Sequence, residues 1–427
     1  MNLYIFNESR AWVVRGVETY LSELTAALKN SDINICVVHA NANIPQIETV
    51  ETDGIRHWYL PGPLPQQRSL NPKRQWDLYH RSIVYLLKWH IKDKKNLVFH
   101  LNYHRTATLA VELKKAFDCQ IVMPIHYIDL YFNRLRELSI FRQMEENRQD
   151  RNYMQLMETY QSDKELYDRV DRIICLSENT RQVLKHNYKI EYHKTTVIYN
   201  GLTDVKQIAD QQSLKQKYRI PDIPVFLFAG RVEGDKGLLC ALRAFKRTIN
   251  TQPACHLIIA GSGQFEFFMK ECEDIWMHVT WTGVIGKEKL YDLYALADVG
   301  LLPSFNEQCS YAAIEMMMHG LPMIGSTSSG LKEMIVDGET GLHLPVIDHE
   351  YSMEIDDELF AEKMVYLLQN PDERKRMGAN ARRRYETLYS SEIFRNNMLD
   401  FYDGLSTTQY DNALKTAPAY TVGQVGY

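Results

Sequence analysis

The chain has 427 residues, with 49 Lys and Arg against 54 Asp and Glu, a net charge of −5. That length allows two or three domains and a full apolar core without staples, and the acidic balance argues against a protein that coats nucleic acid. Hydrophobic residues at 45% and charged residues at 24% exclude disordered, collagen-like and disulfide-scaffold classes.

In chain order, a strand pattern over 3–6 begins at once, with no basic leader before it, and no apolar run nears the 18 or so residues a membrane span needs. A cytoplasmic setting is expected. The seven cysteines are scattered and never spaced as C-x-x-C, so neither a zinc site nor a disulfide framework is expected. Further apolar runs lie at 33–38, 97–100, 120–125, 172–176 and 195–199. A second series follows at 225–229, 256–260, 278–282, 298–303 and 322–325. Most are continuous rather than alternating, as parallel strands covered on both faces require. Between them run helical stripes such as Val17, Tyr20, Leu21, Leu24 and Leu28. Strand-helix alternation predicts α/β architecture, and eleven strands fit two Rossmann-like doubly wound sheets of about six and five better than one. The junction is placed near Asn200-Gly201. A charged segment over 131–168 reads as a long solvated helix with balanced signs, and 406–427 reads as a polar tail.

Three stretches carry chemistry. In the first, a strand ends at Pro303 and leads through Glu307, Gln308, Cys309, Ser310 and Tyr311 to Glu315. With Glu307 at a helix entrance, the eight-residue spacing separates the two carboxylates by about 12 Å. That is too far for a glycosidase pair, but it suits two carboxylates gripping hydroxyls on an elongated ligand. Free N–H groups at 308–310 would offer a helix end to a phosphate. In the second, Gly230-Arg231 and Lys236-Gly237 form a Gly-rich loop after a strand, with two cations able to neutralise a diphosphate. The third, Gly261-Ser262-Gly263, is a weaker glycine signal. Glu266 stands where a dinucleotide fingerprint has its last glycine, so an NAD site is not expected. His126 follows a strand end, and Gly16 sits where the first loop meets the first helix.

These pieces occur in one order, together with Ser177-Glu178, Asn200-Gly201, Ser329-Gly330-Leu331-Lys332-Glu333 and Asp337-Gly338. The ordered set resembles the retaining, nucleotide-sugar-dependent glycosyltransferases of family 4, which have the GT-B fold. The resemblance runs from residue 1 to about 405. It implies an acceptor-side domain over 1–200 and a donor-binding domain over 201–385. It also implies a helix over 386–405 that returns to the first domain, with hinges at Asn200-Gly201 and 385–390. Carried onto this chain, it implies that Arg231 and Lys236 hold the diphosphate and Glu307 contacts the sugar hydroxyls. Gln308 to Tyr311 would lie against sugar and phosphate, and Glu315 would bind the ribose. His126 would stand beside the donor sugar at the reacting centre, and Gly16 would face the diphosphate from the opposite domain. No metal or other cofactor is implied. The implied activity is that of a bacterial hexosyltransferase. Its partners would be a nucleotide-diphosphate sugar and a glycan, lipid-linked or peptide acceptor, with weak peripheral membrane contact and no nucleic acid. The alternative is a non-catalytic GT-B module that binds a nucleotide sugar or glycan. Two departures stand out. The chain has Arg15-Gly16 where the family usually has two glycines. It has Gln308-Cys309-Ser310 where the family favours Gly-Phe-Gly, which is expected to add side chains next to the sugar.

Overall fold

A computed structural model of the chain describes residues 1–9, 15–63, 72–93, 95–128, 151–205, 209–349 and 353–416. Two parallel sheets dominate it. The first has eight strands in the order β3-β4-β2-β1-β5-β6-β7-β8. These are β1 (Asn2–Glu8), β2 (Asn34–Ala42), β3 (Glu48–Thr52), β4 (Ile55–Pro61), β5 (Leu97–Leu101), β6 (Cys119–Ile125), β7 (Arg172–Cys175) and β8 (Thr195–Val197). The second has six strands in the order β11-β10-β9-β12-β13-β14. These are β9 (Val225–Ala229), β10 (His256–Ala260), β11 (Val279–Gly283), β12 (Val299–Leu302), β13 (Met323–Ser326) and β14 (Gly341–Leu344). A small antiparallel pair, β15 (Val346–Asp348) and β16 (Met353–Ile355), follows.

The continuous apolar runs are strands because both faces are covered. In β1, Leu3 and Ile5 enter one apolar cluster while Tyr4 and Phe6 enter another on the opposite face. The helix Arg15–Leu28 buries Tyr20, Leu24 and Leu28 in the first of these clusters. The last helix, Ser391–Thr416, returns to the same face. Tyr402 Oη bonds His100 Nδ1 at 2.8 Å, and Gln120 Nε2 donates to the Leu405 carbonyl at 3.3 Å. Phe394, Met398 and Tyr402 thereby join the apolar cluster of the first sheet to that of the second.

The strand count is corrected from six and five to eight and six. The added hairpin β3-β4 carries Asp53 and Gly54 between its strands, at φ 53° and 78°. Two positive φ values in a two-residue loop are what an Asp-Gly hairpin turn requires. All five residues of β3 are exposed, so no apolar alternation marks it. The last helix was expected to end at 405 but continues to Thr416, because no Gly or Pro interrupts 406–416. That part of the expected tail is helical, and the remainder lies outside the described residues. The charged helix expected over 131–168 is present as Arg151–Arg169, while its first part, up to 150, lies outside the described residues. All seven cysteines are free thiols.

Candidate functional site

In the parallel part of each sheet the strand order reverses at one point, between β1 and β5 and between β9 and β12. The crevice outside the carboxyl ends of such a pair is where open α/β sheets bind ligands. The residues singled out in the sequence fall at these two crevices.

In the second sheet, the loop after β9 carries Arg231 and Lys236. Its shape depends on close backbone packing. Gly261 and Gly263 lie at φ 151° and 155°, and a Cβ on either would collide with the carbonyls of Gly230 and Val232. Main-chain bonds then clamp the two loops, Gly230 N–H to Ala260 O at 2.9 Å and Val232 N–H to Ser262 O at 2.7 Å. The third glycine signal is therefore a brace for the Arg231 loop, not a second phosphate cradle. Gly237, at φ 67°, lies against the Pro303 carbonyl, where a Cβ would not fit. This contact brings the loop after β9 onto the loop after β12. Lys236 Nζ and Glu307 Oε1 meet at 2.6 Å, with only 16% and 17% of their side chains exposed. Arg231 is also paired, donating to Glu233 and, at 2.9 Å, to Asp235. Both expected phosphate-binding cations are thus paired with carboxylates.

Glu307 is not at a helix entrance. The helix is Tyr311–Met318, and Glu307 lies in the loop before it. The separation inferred from a shared helix does not apply. The Ser310 N–H points to the Met334 sulfur at 3.2 Å, so it is not a free anion donor. The N–H groups without intrahelical partners belong to the first turn, from Tyr311, and no side chain caps them.

The Gln308 amide oxygen accepts from the hydroxyls of Ser177, at 3.4 Å, and Thr180, both buried. The Cys309 sulfur accepts from the Asn200 N–H at 3.4 Å, and the Asn200 amide donates to the Cys309 carbonyl at 2.8 Å. Both side chains bond residues of the first half of the chain. Glu333 strengthens this junction by accepting N–H bonds from Glu178, at 2.8 Å, and Asn179 at the start of the helix Glu178–His186. A carboxylate is well placed at that positive helix end.

Glu315 lies within the helix Tyr311–Met318 and accepts from Tyr294 Oη at 2.8 Å. Burial pushes its carboxyl up to about 7, against the opposing effects of the Tyr294 bond and Lys287. Across the cleft, a Cβ built on Gly16 would lie 3.8 Å from the Tyr311 ring, so Gly16 faces the start of that helix. The Arg15 side chain lies outside what is described. His126 follows β6 and bonds Asn102 Oδ1 through Nε2 at 2.7 Å. Burial, with His104 nearby, lowers its pKa to about 3 and keeps it neutral.

Sequence reasoning missed Asn102, Thr180 and Tyr294. Asn102 directly follows a strand end, the same signal that singled out His126. Tyr294, one residue after the buried Leu293, carries no local signal that sets it apart from the core. Among the described residues no group of three or more His, Cys, Asp or Glu side chains could hold a metal ion.

Comparison with known proteins adds two profiles. One, described as "Glycosyl transferases group 1", matches residues 210–384, and another, "Glycosyltransferase Family 4", matches 14–204. Among curated relatives, the Bacillus subtilis protein YtcC is 25% identical over 333 residues, covering 71% of this chain and 77% of its own length. A D-inositol 3-phosphate glycosyltransferase of Corynebacterium diphtheriae is 23% identical over 396 residues, covering 89% of this chain and 84% of its own. Among solved structures, a sucrose-phosphate synthase from Thermosynechococcus elongatus superposes with a TM-score of 0.76 at 20% identity, covering 96% of this chain and all of that one. Anabaena HepE in complex with UDP and glucose superposes with a TM-score of 0.70 at 13% identity, over 95% of this chain and all of that one. The shared fold is GT-B.

Proposed function

Because the chain belongs to the group 1 and family 4 glycosyltransferases, we propose that it transfers a hexose from a nucleotide-diphosphate sugar to an acceptor hydroxyl with retention of configuration. The observation that carries this reading is the Lys236–Glu307 pair at the β9/β12 switch point, opposite Gly16. A diphosphate entering there offers Lys236 a doubly charged partner. Glu307 is then released to accept bonds from the sugar hydroxyls. As the bond from the anomeric carbon to the phosphate oxygen breaks, charge grows on the leaving diphosphate. Lys236, Arg231 and the N–H groups from Tyr311 onward stabilise it without a metal. Glu315 accepts from the ribose, and the domain over 201–385 holds the donor. The acceptor is a glycan, lipid-linked or peptide hydroxyl, held by the domain over 1–200; it attacks from the face the phosphate leaves and passes its proton to the departing phosphate oxygen. His126 stays neutral beside the sugar. The hinge lies where Leu202 bonds both Tyr389, at 2.9 Å, and Ser391, at 3.0 Å.

A nucleotide-release panel tests this, mixing the protein with UDP-, GDP-, ADP- and TDP-sugars. UDP-glucose is the first to try, because HepE has been solved with UDP-glucose. Slow release from one donor, accelerated by an acceptor, is expected. No release from any donor would favour a non-catalytic binding module instead.

The same reading includes weak contact with a membrane surface at the cytoplasmic face. Among the described residues no helix is long and apolar enough to cross a membrane. The helix Pro72–His90 instead exposes Tyr85 by 66% and Trp89 by 67%, one turn apart. Arg81, Lys88 and Lys92 stand exposed beside them. Aromatic rings flanked by cations suit an anionic lipid interface. Sedimentation with vesicles rich in phosphatidylglycerol is expected to carry the protein down at low salt. The double variant Tyr85→Ser, Trp89→Ser should stay in the supernatant.

A further inference from the structure

The crevice of the first sheet contains a chain of three side chains that the reading above uses only at its end. Asn7 lies near the end of β1, Asn102 just after β5, and His126 just after β6. Asn102 is wholly buried, and its main-chain N–H donates to the Phe6 carbonyl at 2.9 Å, which ties it to β1. Its side-chain Nδ2 donates to Asn7 Oδ1 at 3.2 Å. That leaves its Oδ1 facing His126 Nε2 at 2.7 Å. An amide oxygen only accepts, so the hydrogen must sit on Nε2. Nδ1 then carries the lone pair. The tautomer of a histidine follows from what its other nitrogen is bonded to.

The ring is held from several sides. Tyr20, from the helix Arg15–Leu28, meets it edge to face at 4.8 Å and 81°. Among the described residues, His100, from β5, and His104, from the loop after β5, are the other titratable groups facing it. Burial keeps both neutral, with pKa values of about 3. No group in this set is anionic, so nothing among them competes with Asn102 in directing the proton. His126 itself remains partly exposed.

We infer that Asn102 is the positioning residue that selects the His126 tautomer, so that Nδ1 presents a lone pair to a hydroxyl of the bound substrate. This rests on the glycosyltransferase reading. It predicts a site that takes a neutral O–H donor at that nitrogen.

The test uses the full-length protein and two variants. Nitrogen-15 NMR of the ligand-free wild type is expected to show His126 protonated at Nε2 and bare at Nδ1. Asn102→Asp keeps an acceptor at the same place, so the tautomer survives. The added charge raises the histidine's affinity for a second proton. At saturating donor, nucleotide release by this variant should then fall more steeply than the wild type's as pH drops through the neutral range. Asn102→Leu removes the acceptor and is expected to lower turnover about tenfold with binding of free UDP unchanged. Protonation of wild-type His126 at Nδ1 would overturn the inference, as would an Asn102→Asp profile that follows the wild type's. If even the wild type releases nucleotide from no donor, the glycosyltransferase reading fails, and the NMR result still decides the tautomer. If Asn102→Asp does not fold, the wild-type spectrum and Asn102→Leu decide it.

Discussion

Lys236→Ala is expected to lower turnover of the donor about a hundred- to a thousandfold while the protein stays folded. One well-placed donor to a developing oxyanion is worth about 3–4 kcal/mol of barrier. Lys236 is the cation held most closely in the crevice, since Gly237 and Pro303 fix its loop and Glu307 fixes its tip. Its loss also leaves the mostly buried Glu307 carboxylate without its partner, so part of the effect comes through that residue. A double-mutant cycle with Glu307→Gln separates the two, because interacting residues fail to add. Steady-state nucleotide release and a melting curve check both halves. Full activity in both single variants would remove this pair from the mechanism.

Glu315→Gln is expected to raise stability at pH 8, leave it nearly unchanged at pH 4.5, and weaken nucleotide binding. The folded protein holds the Glu315 carboxyl at about 7, above its ordinary 4.5. A raised acid is favoured by folding when protonated, so its contribution is fully present below about 4.5 and declines as pH climbs toward 7. Above that, the ionised carboxylate is a standing cost on the order of 2 kcal/mol, reduced from the full shift because the side chain is partly exposed. Glutamine removes the charge and the cost. It also removes the charged acceptor for ribose hydroxyls, and such bonds contribute about 1.5–3 kcal/mol. Nucleoside diphosphate affinity should therefore fall ten- to a hundredfold at pH 8. Melting temperatures at the two pH values and calorimetric titration read both effects. Equal melting shifts at both pH values would show that burial of the charge is not what strains Glu315.

The sequence by itself determined much of the framework. Runs such as 225–229 and 257–260 are strands because four or five successive apolar residues are buried on both faces of a covered parallel sheet. Strand ends marked Arg231, Lys236 and His126, the first two with glycines beside them, because ligand crevices open at carboxyl ends. The exposed hairpin β3-β4 was less legible. Its Asp53-Gly54 turn is a local signal, but the strand before it carries no apolar period.

Tertiary structure alone decided where the site's side chains point. Glu307 leaves the expected helix and meets Lys236, 71 positions away, because Gly237 packs on Pro303. Gln308 and Cys309 are tied to the first half of the chain because Thr180 and Asn200, more than a hundred residues earlier, offer them bonds. Asn102 acts through His126 only because β5 and β6 are neighbours. Periodicity and turn chemistry are properties of a few adjacent residues, so they can be read along the chain. The direction of a polar side chain depends on which distant partner satisfies it when water is excluded, and only the folded arrangement supplies that partner.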